Sequence, residues 1–296
     1  MLVANVAHAK PILQFGLFGD TPYSDYERSQ LPLILNDMGE ANLSFAIHDG
    51  DIKNGHSRCD DAMYQDILGA FQSSPVPLVY VPGDNEWTDC QRPACGGFDQ
   101  VERLNFLRKT FFTDNHSLGK QRIELERQDG YPENVRWEMA GVQFVALNIP
   151  GDDNNVKKTQ EYEARNKANH TWLADAFRHA KEKKLRGVLI DIQANPIIEA
   201  DNEGATKPGF KDFLDQLRTE TAAFHGQVVL VHGDTHNMQI NQPLRDRKTH
   251  KVIDNFTRVE TYGAPFLGWI RAIVDDSDPK VFRFETRPWK PSIGTQ

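Results

Sequence analysis

The chain has 296 residues, 39% of them hydrophobic, and a formal net charge of −8. This length and apolar content suffice for a large core, and α/β layer folds often reach this size as one domain. The acidic balance argues against a nucleic-acid backbone as the main partner. No apolar stretch approaches the roughly 20 residues of a transmembrane helix, so no membrane span is predicted.

The N-terminal residues resemble the end of an export signal. Ala7-His8-Ala9 has the small-x-small pattern that precedes a signal-peptidase site, yet no basic segment stands before it. Residues 1–11 are therefore interpreted as either a signal remnant or a disordered start. A single domain is predicted over residues 12–296.

Three cysteines, Cys59, Cys90 and Cys95, fall in the two loops that follow the second and third apolar runs. One pair among them is close enough in the predicted fold to form a disulfide, and their spacing is a poor match to a thiolate metal site. One disulfide favours a periplasmic or secreted protein over a cytoplasmic chain with free thiols.

Strands and helices alternate in the first part of the chain. Apolar runs bounded by glycine predict buried parallel strands, and amphipathic stretches predict the helices between them. In chain order these are strand Leu13–Phe18, helix Tyr26–Met38 with Pro32 in its first turn, strand Phe45–Ile47, helix Ala62–Phe71, strand Leu78–Val81 and helix Val101–Phe112.

The pattern then changes. Antiparallel strands are predicted first, with Ala140-Gly141 as a tight hairpin turn, followed by further strand–helix units. The segments are strands Arg122–Glu126, Val135–Met139 and Val142–Leu147, loop Gly151–Asn155, helix Gln160–Lys184, strand Gly187–Ile192, helix Phe210–Phe224, strand Gln227–His232, a flexible flap Asn241–Asn255 and strands Arg258–Tyr262, Trp269–Val274 and Lys280–Glu285. This order predicts two sheets packed face to face with helices outside.

Four of the predicted strands end at Gly-Asp, namely Gly19-Asp20, Gly50-Asp51, Gly83-Asp84 and Gly233-Asp234. The carboxyl ends of parallel strands meet at one edge, where α/β sheets bind ligands, so we expect these carboxylates to lie together. A divalent cation is the usual way to neutralise such a group. The pattern therefore predicts a metal-dependent enzyme.

Five segments in chain order resemble the motif blocks of the calcineurin-like metallophosphoesterases. They are Gly19-Asp20, Gly50-Asp51, Gly83-Asp84-Asn85-Glu86, Gln193-Ala194-Asn195-Pro196 and Gly233-Asp234-Thr235-His236, and the third is similar to that of a divergent branch of the family. The resemblance implies an α/β fold, at the border of α+β, built as a four-layer αββα sandwich with two mixed β-sheets. It also implies two divalent metal ions and hydrolysis of a phosphate mono- or diester of a small molecule by metal-activated water.

By the same resemblance, the metal ligands are Asp20, Asp51, Asp84, Asp234, His236 and Gln193. Four histidines of the family pattern are absent, because Pro22, Asn85 and Asp234 occupy three of those positions and the fourth block has none. Asn85 stands where the family has the histidine thought to protonate the leaving group. The exchange of imidazoles for carboxylates and amides favours Mn²⁺ or Mg²⁺, with Fe or Zn as alternatives.

Further site residues are predicted around these ligands. Asn85 is assigned to catalysis, with His48 and His232 as alternative proton donors, and substrate binding is assigned to Lys53, Asn154, Asn155 and Arg165. In the purple branch of the family a tyrosine three residues after the second-block aspartate binds iron. Asn54 stands at that position, so no iron–tyrosinate centre is expected, and Tyr23 is interpreted as a substrate-stacking or core residue.

Two functions from different classes are consistent with these residues. An enzyme is favoured, because four acidic residues gathered without a cation would be costly and serve no purpose. The alternative is a degenerate phosphoesterase fold that binds a cation or a phosphorylated ligand without catalysis, and the absent histidines support it.

Overall fold

A computed structural model describes residues 13–275 and 277–290. The predicted signal remnant or disordered start, residues 1–11, therefore lies outside the described residues. None of the described helices combines the length and the apolar composition needed to cross a bilayer.

The first sheet has five strands in the order β12-β11-β1-β2-β3. The strands are β1 (Leu13–Phe18), β2 (Phe45–His48), β3 (Leu78–Tyr80), β11 (Gly268–Val274) and β12 (Phe282–Pro288). β1, β2 and β3 are parallel, whereas β11 runs antiparallel to both of its neighbours. The helices of this half are α1 (Asp25–Glu40), α2 (Asp61–Gln72) and α3 (Gln100–Phe111).

The second sheet has seven strands in the order β4-β5-β6-β7-β8-β10-β9. The strands are β4 (Glu126–Gln128), β5 (Tyr131–Met139), β6 (Val142–Ala146), β7 (Gly187–Asp191), β8 (Gln227–His232), β9 (Gln239–Asn241) and β10 (Phe256–Glu260). β6, β7, β8 and β10 are parallel, and the outer strands pair antiparallel. The helical segments are α4 (Gly151–Asn154), α5 (Thr159–Glu182), α6 (Ile198–Asn202) and α7 (Lys211–Ala222).

Apolar side chains fill three layers of this structure. One cluster lies between α1–α3 and the first sheet, one lies between the two sheets, and one lies between the second sheet and helices α5 and α7. In the middle layer Phe15, Phe45 and Phe144 pack with ring centroids no more than 5.3 Å apart. Helix, sheet, sheet and helix thus follow one another, which confirms the predicted four-layer αββα sandwich with two mixed sheets.

Several local predictions can be compared with the structure. Ala140 and Gly141 both have positive φ, 50° and 75°, as a two-residue type I′ hairpin requires. The expectation for Pro32 is wrong, because the Ser24 side chain caps α1 and the helix begins at Asp25, which leaves Pro32 in the helix interior. The strand predicted at Arg122–Glu126 begins only at its last residue and extends to Gln128.

A disulfide joins Cys59 to Cys90, with a Cα–Cα distance of 5.7 Å. It links the loop after β2 to the loop after β3, and so selects one of the pairings that the sequence left open. Cys95 is a buried free thiol beside it, and its carbonyl accepts a hydrogen bond from the Cys59 amide at 2.9 Å.

Removal of this cross-link by Cys59→Ala should lower the free energy of unfolding by about 3 kcal/mol. The reason is that the bridge restricts an unfolded loop with a sequence separation of 31 residues. Urea unfolding of the unreduced protein measures the loss. Cys95→Ala is the control, because it removes a buried thiol without removing a cross-link. More than one free thiol in the unfolded, unreduced chain would contradict the assignment.

Candidate metal centre

The loops that follow β1, β2, β3, β7 and β8 meet at one end of the sandwich. All six residues that the sequence predicts as metal ligands lie in these loops: Asp20, Asp51, Asp84, Gln193, Asp234 and His236. Backbone hydrogen bonds hold the loops together, with the Asp20 amide on the Gly50 carbonyl at 2.9 Å and the Gly233 amide on the Gln193 carbonyl at 3.0 Å. The convergence predicted from the strand ends is therefore present.

Direct contacts connect the acidic side chains across these loops. Asp20 Oδ2 accepts a hydrogen bond from the Asp234 amide at 2.9 Å, and Asp20 Oδ1 lies 3.6 Å from His236 Nε2. Asp51 Oδ1 accepts a hydrogen bond from the backbone amide of Asn85 at 3.1 Å. The carboxylates are buried, whereas the His236 side chain keeps 25% of its surface exposed and so borders the mouth of the site.

Four of these residues have left-handed backbone conformations. The φ angles are 46° at Asp20, 57° at Asp51, 75° at Asp234 and 55° at His236. Such conformations cost free energy in residues other than glycine and concentrate at functional sites, where neighbouring structure imposes them. Strain at four predicted ligand positions is consistent with a functional site.

Glycines beside these residues make room for the carboxylates. A Cβ atom at Gly83 would overlap Asp51 Oδ1, and a Cβ atom at Gly233 would overlap Asp20 Oδ2. The glycine of one Gly-Asp pair therefore admits the aspartate of a different strand. This packing gives the recurrent dipeptide a physical reason that the sequence pattern alone did not supply.

Glu86 fixes the relative position of two loops. Its Oε1 accepts hydrogen bonds from the Gly83 amide at 2.7 Å, from the Asp51 amide at 3.1 Å and from the Tyr80 hydroxyl at 2.8 Å. The side chain is fully buried. It acts on the site by holding the backbone that carries Asp51 and Asp84.

The carboxylates raise one another's pKa values. Burial is the largest cause at Asp51 and Asp84, whose pKa values lie well above the usual range, and the charges of neighbouring acidic groups add to it. The pKa of Asp234 rises to about 6, and that of Asp20 also rises, despite the opposing contact with His236. With all four carboxylates ionised, the cluster would carry more negative charge than its surroundings compensate.

The carboxylate oxygens of the predicted ligands suit hard divalent cations, although the side chains are not arranged in a complete coordination geometry. No three His, Cys, Asp or Glu side chains in the described part of the chain are arranged so that they could hold a metal ion as they stand. Asp84 Oδ1 is nevertheless buried without a hydrogen-bond partner, and carboxylate oxygens are the ligands that Mg²⁺ and Mn²⁺ prefer. A cation would satisfy this oxygen and neutralise the cluster.

Gln193, the one predicted ligand with an amide side chain, has a hydrogen-bond partner on its oxygen and none on its nitrogen. Its Oε1 accepts a hydrogen bond from the Gly151 amide at 2.6 Å, and its buried Nε2 has no partner. An amide nitrogen does not bind a cation, so ligation by Gln193 would use Oε1, which keeps a second lone pair beside its hydrogen bond from Gly151.

Asn85 contacts the predicted ligands directly. Its Nδ2 donates to Asp51 Oδ2 at 2.7 Å and lies 2.9 Å from the Tyr23 hydroxyl. The sequence interpretation did not place the Tyr23 hydroxyl among the predicted ligands. The only signal in the sequence was the position of Tyr23 three residues after Asp20. The sequence interpretation also gave no role to Asp49, which is buried and accepts a hydrogen bond from the Thr261 hydroxyl at 2.8 Å.

His48 and His232, the alternative proton donors, are fully buried and bound to backbone groups. His48 Nδ1 accepts from the Gly50 amide at 3.2 Å, and its Nε2 lies 2.9 Å from the Thr21 carbonyl. His232 Nδ1 lies 3.0 Å from the Gly233 carbonyl. Burial lowers the pKa of each ring to about 4. In these positions they support the loops that carry the predicted ligands.

Three of the predicted substrate-binding residues form a buried clamp around α4. Arg165 donates to the Asn154 side chain at 2.6 Å and to the Asn154 carbonyl at 3.0 Å, and it also pairs with Glu161. Asn155 donates to the same glutamate at 2.9 Å. The fourth, Lys53, is buried too, and its Nζ donates to the Asn54 carbonyl at 2.8 Å. None of the four is open to solvent in this arrangement.

Solved structures share this architecture. A dimetal phosphatase from Danio rerio is similar at a TM-score of 0.60 and 14% identity, over 94% of this chain and 96% of that one. PhoD is similar at a TM-score of 0.57 and 10% identity, over 94% and 69%. A purple acid phosphatase from yellow lupin (Lupinus luteus) is similar at 0.55 and 12%, over 93% and 53%. No protein-family model and no curated protein matches the chain.

These identities are too low to carry activity or substrate from those proteins to this one, and the likeness concerns the fold. It extends over nearly the whole chain and includes both sheets. The chain therefore has the calcineurin-like phosphoesterase fold that the sequence resemblance implied.

Proposed function

We propose that the chain is a metal-dependent phosphoesterase that hydrolyses a phosphate mono- or diester of a small molecule. The observation that carries the proposal is the convergence of five side chains at one end of this fold, where Asp20, Asp51 and Asp84 are buried and Asp234 and His236 are half-buried. Two divalent cations, with Mn²⁺ or Mg²⁺ favoured over Fe or Zn, would compensate the charge of this group.

The contacts suggest how the ligands divide between two cations. Asp20 and His236 lie together on one side, and on the other side Asp84 Oδ1 and Asp234 Oδ1 both border Gly151. Asp51 interacts with both sides and would be shared. Bound cations would activate water for attack on phosphorus and stabilise the charge that develops there.

Protonation of the leaving group is the step for which the predicted site residues provide the weakest acid. The side-chain amide of Asn85 donates a hydrogen bond to Asp51 and has no acidic proton to transfer. General acid catalysis typically contributes about 10²–10⁴-fold to the rate. The enzyme is therefore expected to prefer esters with acidic leaving groups, such as aryl phosphates.

A binding protein without catalysis is the second candidate. The observation in its favour is that hydrogen bonds from Asn85 and Tyr23 already satisfy the Asp51 carboxylate. On this alternative the site would take up a cation or a phosphorylated ligand without turnover. The disulfide Cys59–Cys90 supports a periplasmic or secreted location for either function.

Asp51→Asn should weaken Mn²⁺ binding by at least tenfold, since loss even of groups that only orient ligands costs about 10–100-fold. Asparagine keeps the size of the side chain and an acceptor for the Asn85 amide, so the loop should persist. Calorimetric titration of the chelator-treated protein measures the affinity. Asp66→Asn, at an exposed aspartate paired with Arg28, is the control. A parent protein that takes up neither Mn²⁺ nor Mg²⁺ would overturn the proposal.

Activity should be higher with Mn²⁺ or Mg²⁺ than with Zn²⁺, because the donors are mainly carboxylate oxygens. Hydrolysis of nitrophenyl phosphate and of bis-nitrophenyl phosphate is measured after removal and replacement of the metal. The Asp51→Asn protein, assayed with each metal, accounts for contaminating phosphatases. A clear optimum with Zn²⁺ would contradict the oxygen-rich assignment, and binding without hydrolysis would favour the second candidate.

Asn85→His should accelerate hydrolysis of esters with poor leaving groups by at least about tenfold and reduce the dependence of the rate on leaving-group pKa. A series of aryl phosphates measures the slope. Asp84→Asn is the matched variant. It should weaken metal binding without changing the steep dependence of the rate on leaving-group pKa. A shallow slope in the parent would mean that another group already supplies the proton.

A further inference from the structure

The first block lacks the ligand that the family pattern has there, because Pro22 offers no ligand atom. The next residue, Tyr23, directs its hydroxyl into the middle of the predicted ligands. Its Oη donates to Asp51 Oδ2 at 2.8 Å and lies 3.3 Å from His236 Nε2 and 3.5 Å from Asp20 Oδ1. One phenolic oxygen is thus in reach of three groups that the sequence assigns to metal binding.

The backbone of Tyr23 is held on both sides. Its amide donates to Glu27 Oε2 at 2.5 Å, and its carbonyl accepts from Asn54 Nδ2 at 2.8 Å. Ser24, the next residue, caps the N-terminus of α1 by accepting from the Glu27 amide. The start of α1 therefore fixes the point from which the side chain enters the site.

The ring of Tyr23 is fixed as well. It packs edge-on against the His236 ring with centroids 5.2 Å apart, while Asn85 Nδ2 donates to the hydroxyl at 2.9 Å. These contacts hold the aromatic ring against a predicted ligand instead of leaving it as a surface platform. The sequence predicts a substrate-stacking or core residue, and neither role places the hydroxyl among the predicted ligands.

The Tyr23 hydroxyl accepts a hydrogen bond from Asn85 and has more acceptor neighbours than its one proton can serve. The hydroxyl has one proton, and Asp51 receives it, so the contact with Asp20 is left without a hydrogen. Two carboxylates, an imidazole and a phenolic oxygen directed at a common region form a donor set of three oxygens and one nitrogen. Hard metal ions favour such a set.

We propose that Tyr23 is a protein ligand of the cation held by Asp20, Asp51 and His236, in the role that Pro22 leaves unfilled. The inference rests on the proposed function, because it requires a metal at this site. It also changes the expected metal chemistry. The hydroxyl would release its proton to solvent when the cation binds, and the resulting phenolate adds affinity for Fe³⁺, although Asn54 stands where the purple branch has its tyrosine.

The experiment uses the full chain, freed of metal and then titrated with Fe³⁺ supplied as ferric nitrilotriacetate. Tyrosine bound to Fe³⁺ gives a charge-transfer absorption band in the visible range, which does not depend on turnover. We expect the band in the parent and in Tyr26→Phe, which alters an exposed tyrosine three residues further on, and no band in Tyr23→Phe. Iron content is measured in each protein.

Mn²⁺ titration by calorimetry gives a second readout. Tyr23→Phe keeps the ring that packs on His236 and removes only the hydroxyl, so the variant should fold, and circular dichroism checks this. We expect its Mn²⁺ affinity to fall by at least about tenfold relative to the parent and to Tyr26→Phe.

The outcomes separate this proposal from the proposed function. A band that persists in Tyr23→Phe, or a parent that binds metal with no band and with Mn²⁺ affinity equal to that of Tyr23→Phe, overturns the role of Tyr23 and leaves the phosphoesterase proposal intact. A parent that takes up no metal overturns both. Loss of the band together with weaker Mn²⁺ binding in Tyr23→Phe alone supports the assignment.

Discussion

Several carboxylates buried at one place are the constraint on which the rest of this structure depends. Asp20, Asp51, Asp84 and Asp234 follow separate strands, and burial raises the pKa of each, with a smaller contribution from the charges of neighbouring acidic groups. An unpaired buried carboxylate is costly, so such a group must gain protons or a cation. The remaining features of this end of the sandwich are arranged around that requirement.

Backbone strain is concentrated at the same end. The ligand loops have left-handed residues, and so does the turn through α4, where Asp152 to Asn155 all have φ between 48° and 56°. Each such residue costs roughly 1–2 kcal/mol, and buried hydrogen bonds from Arg165 offset part of the cost at Asn154. Rigid sheets and buried polar clamps thus hold loops that would relax if they were isolated.

The departures from the family pattern form a consistent set. Where imidazoles would stand, the chain has a carboxylate at Asp234, amides at Asn85 and Gln193, and a phenol one residue beyond Pro22. The Asn85 side-chain amide and the Tyr23 hydroxyl hydrogen-bond to Asp51, and the Gln193 backbone carbonyl accepts from the Gly233 amide beside Asp234. On the proposed function, this set of side chains would favour oxygen-binding metals and esters with acidic leaving groups.

The sequence by itself determined the parallel strands, the type I′ turn at Ala140-Gly141 and the residues that end each strand, because these depend on local periodicity and on backbone preferences. From parallel strands it followed that Asp20, Asp51, Asp84 and Asp234 would meet. Only the tertiary structure decided which atoms face each other. The hydroxyl of Tyr23, the pairing of Cys59 with Cys90, and the burial of His48 and Arg165 depend on contacts between segments far apart in the chain. Local patterns carry no information about such contacts, since side-chain direction is set by packing after the two sheets have come together.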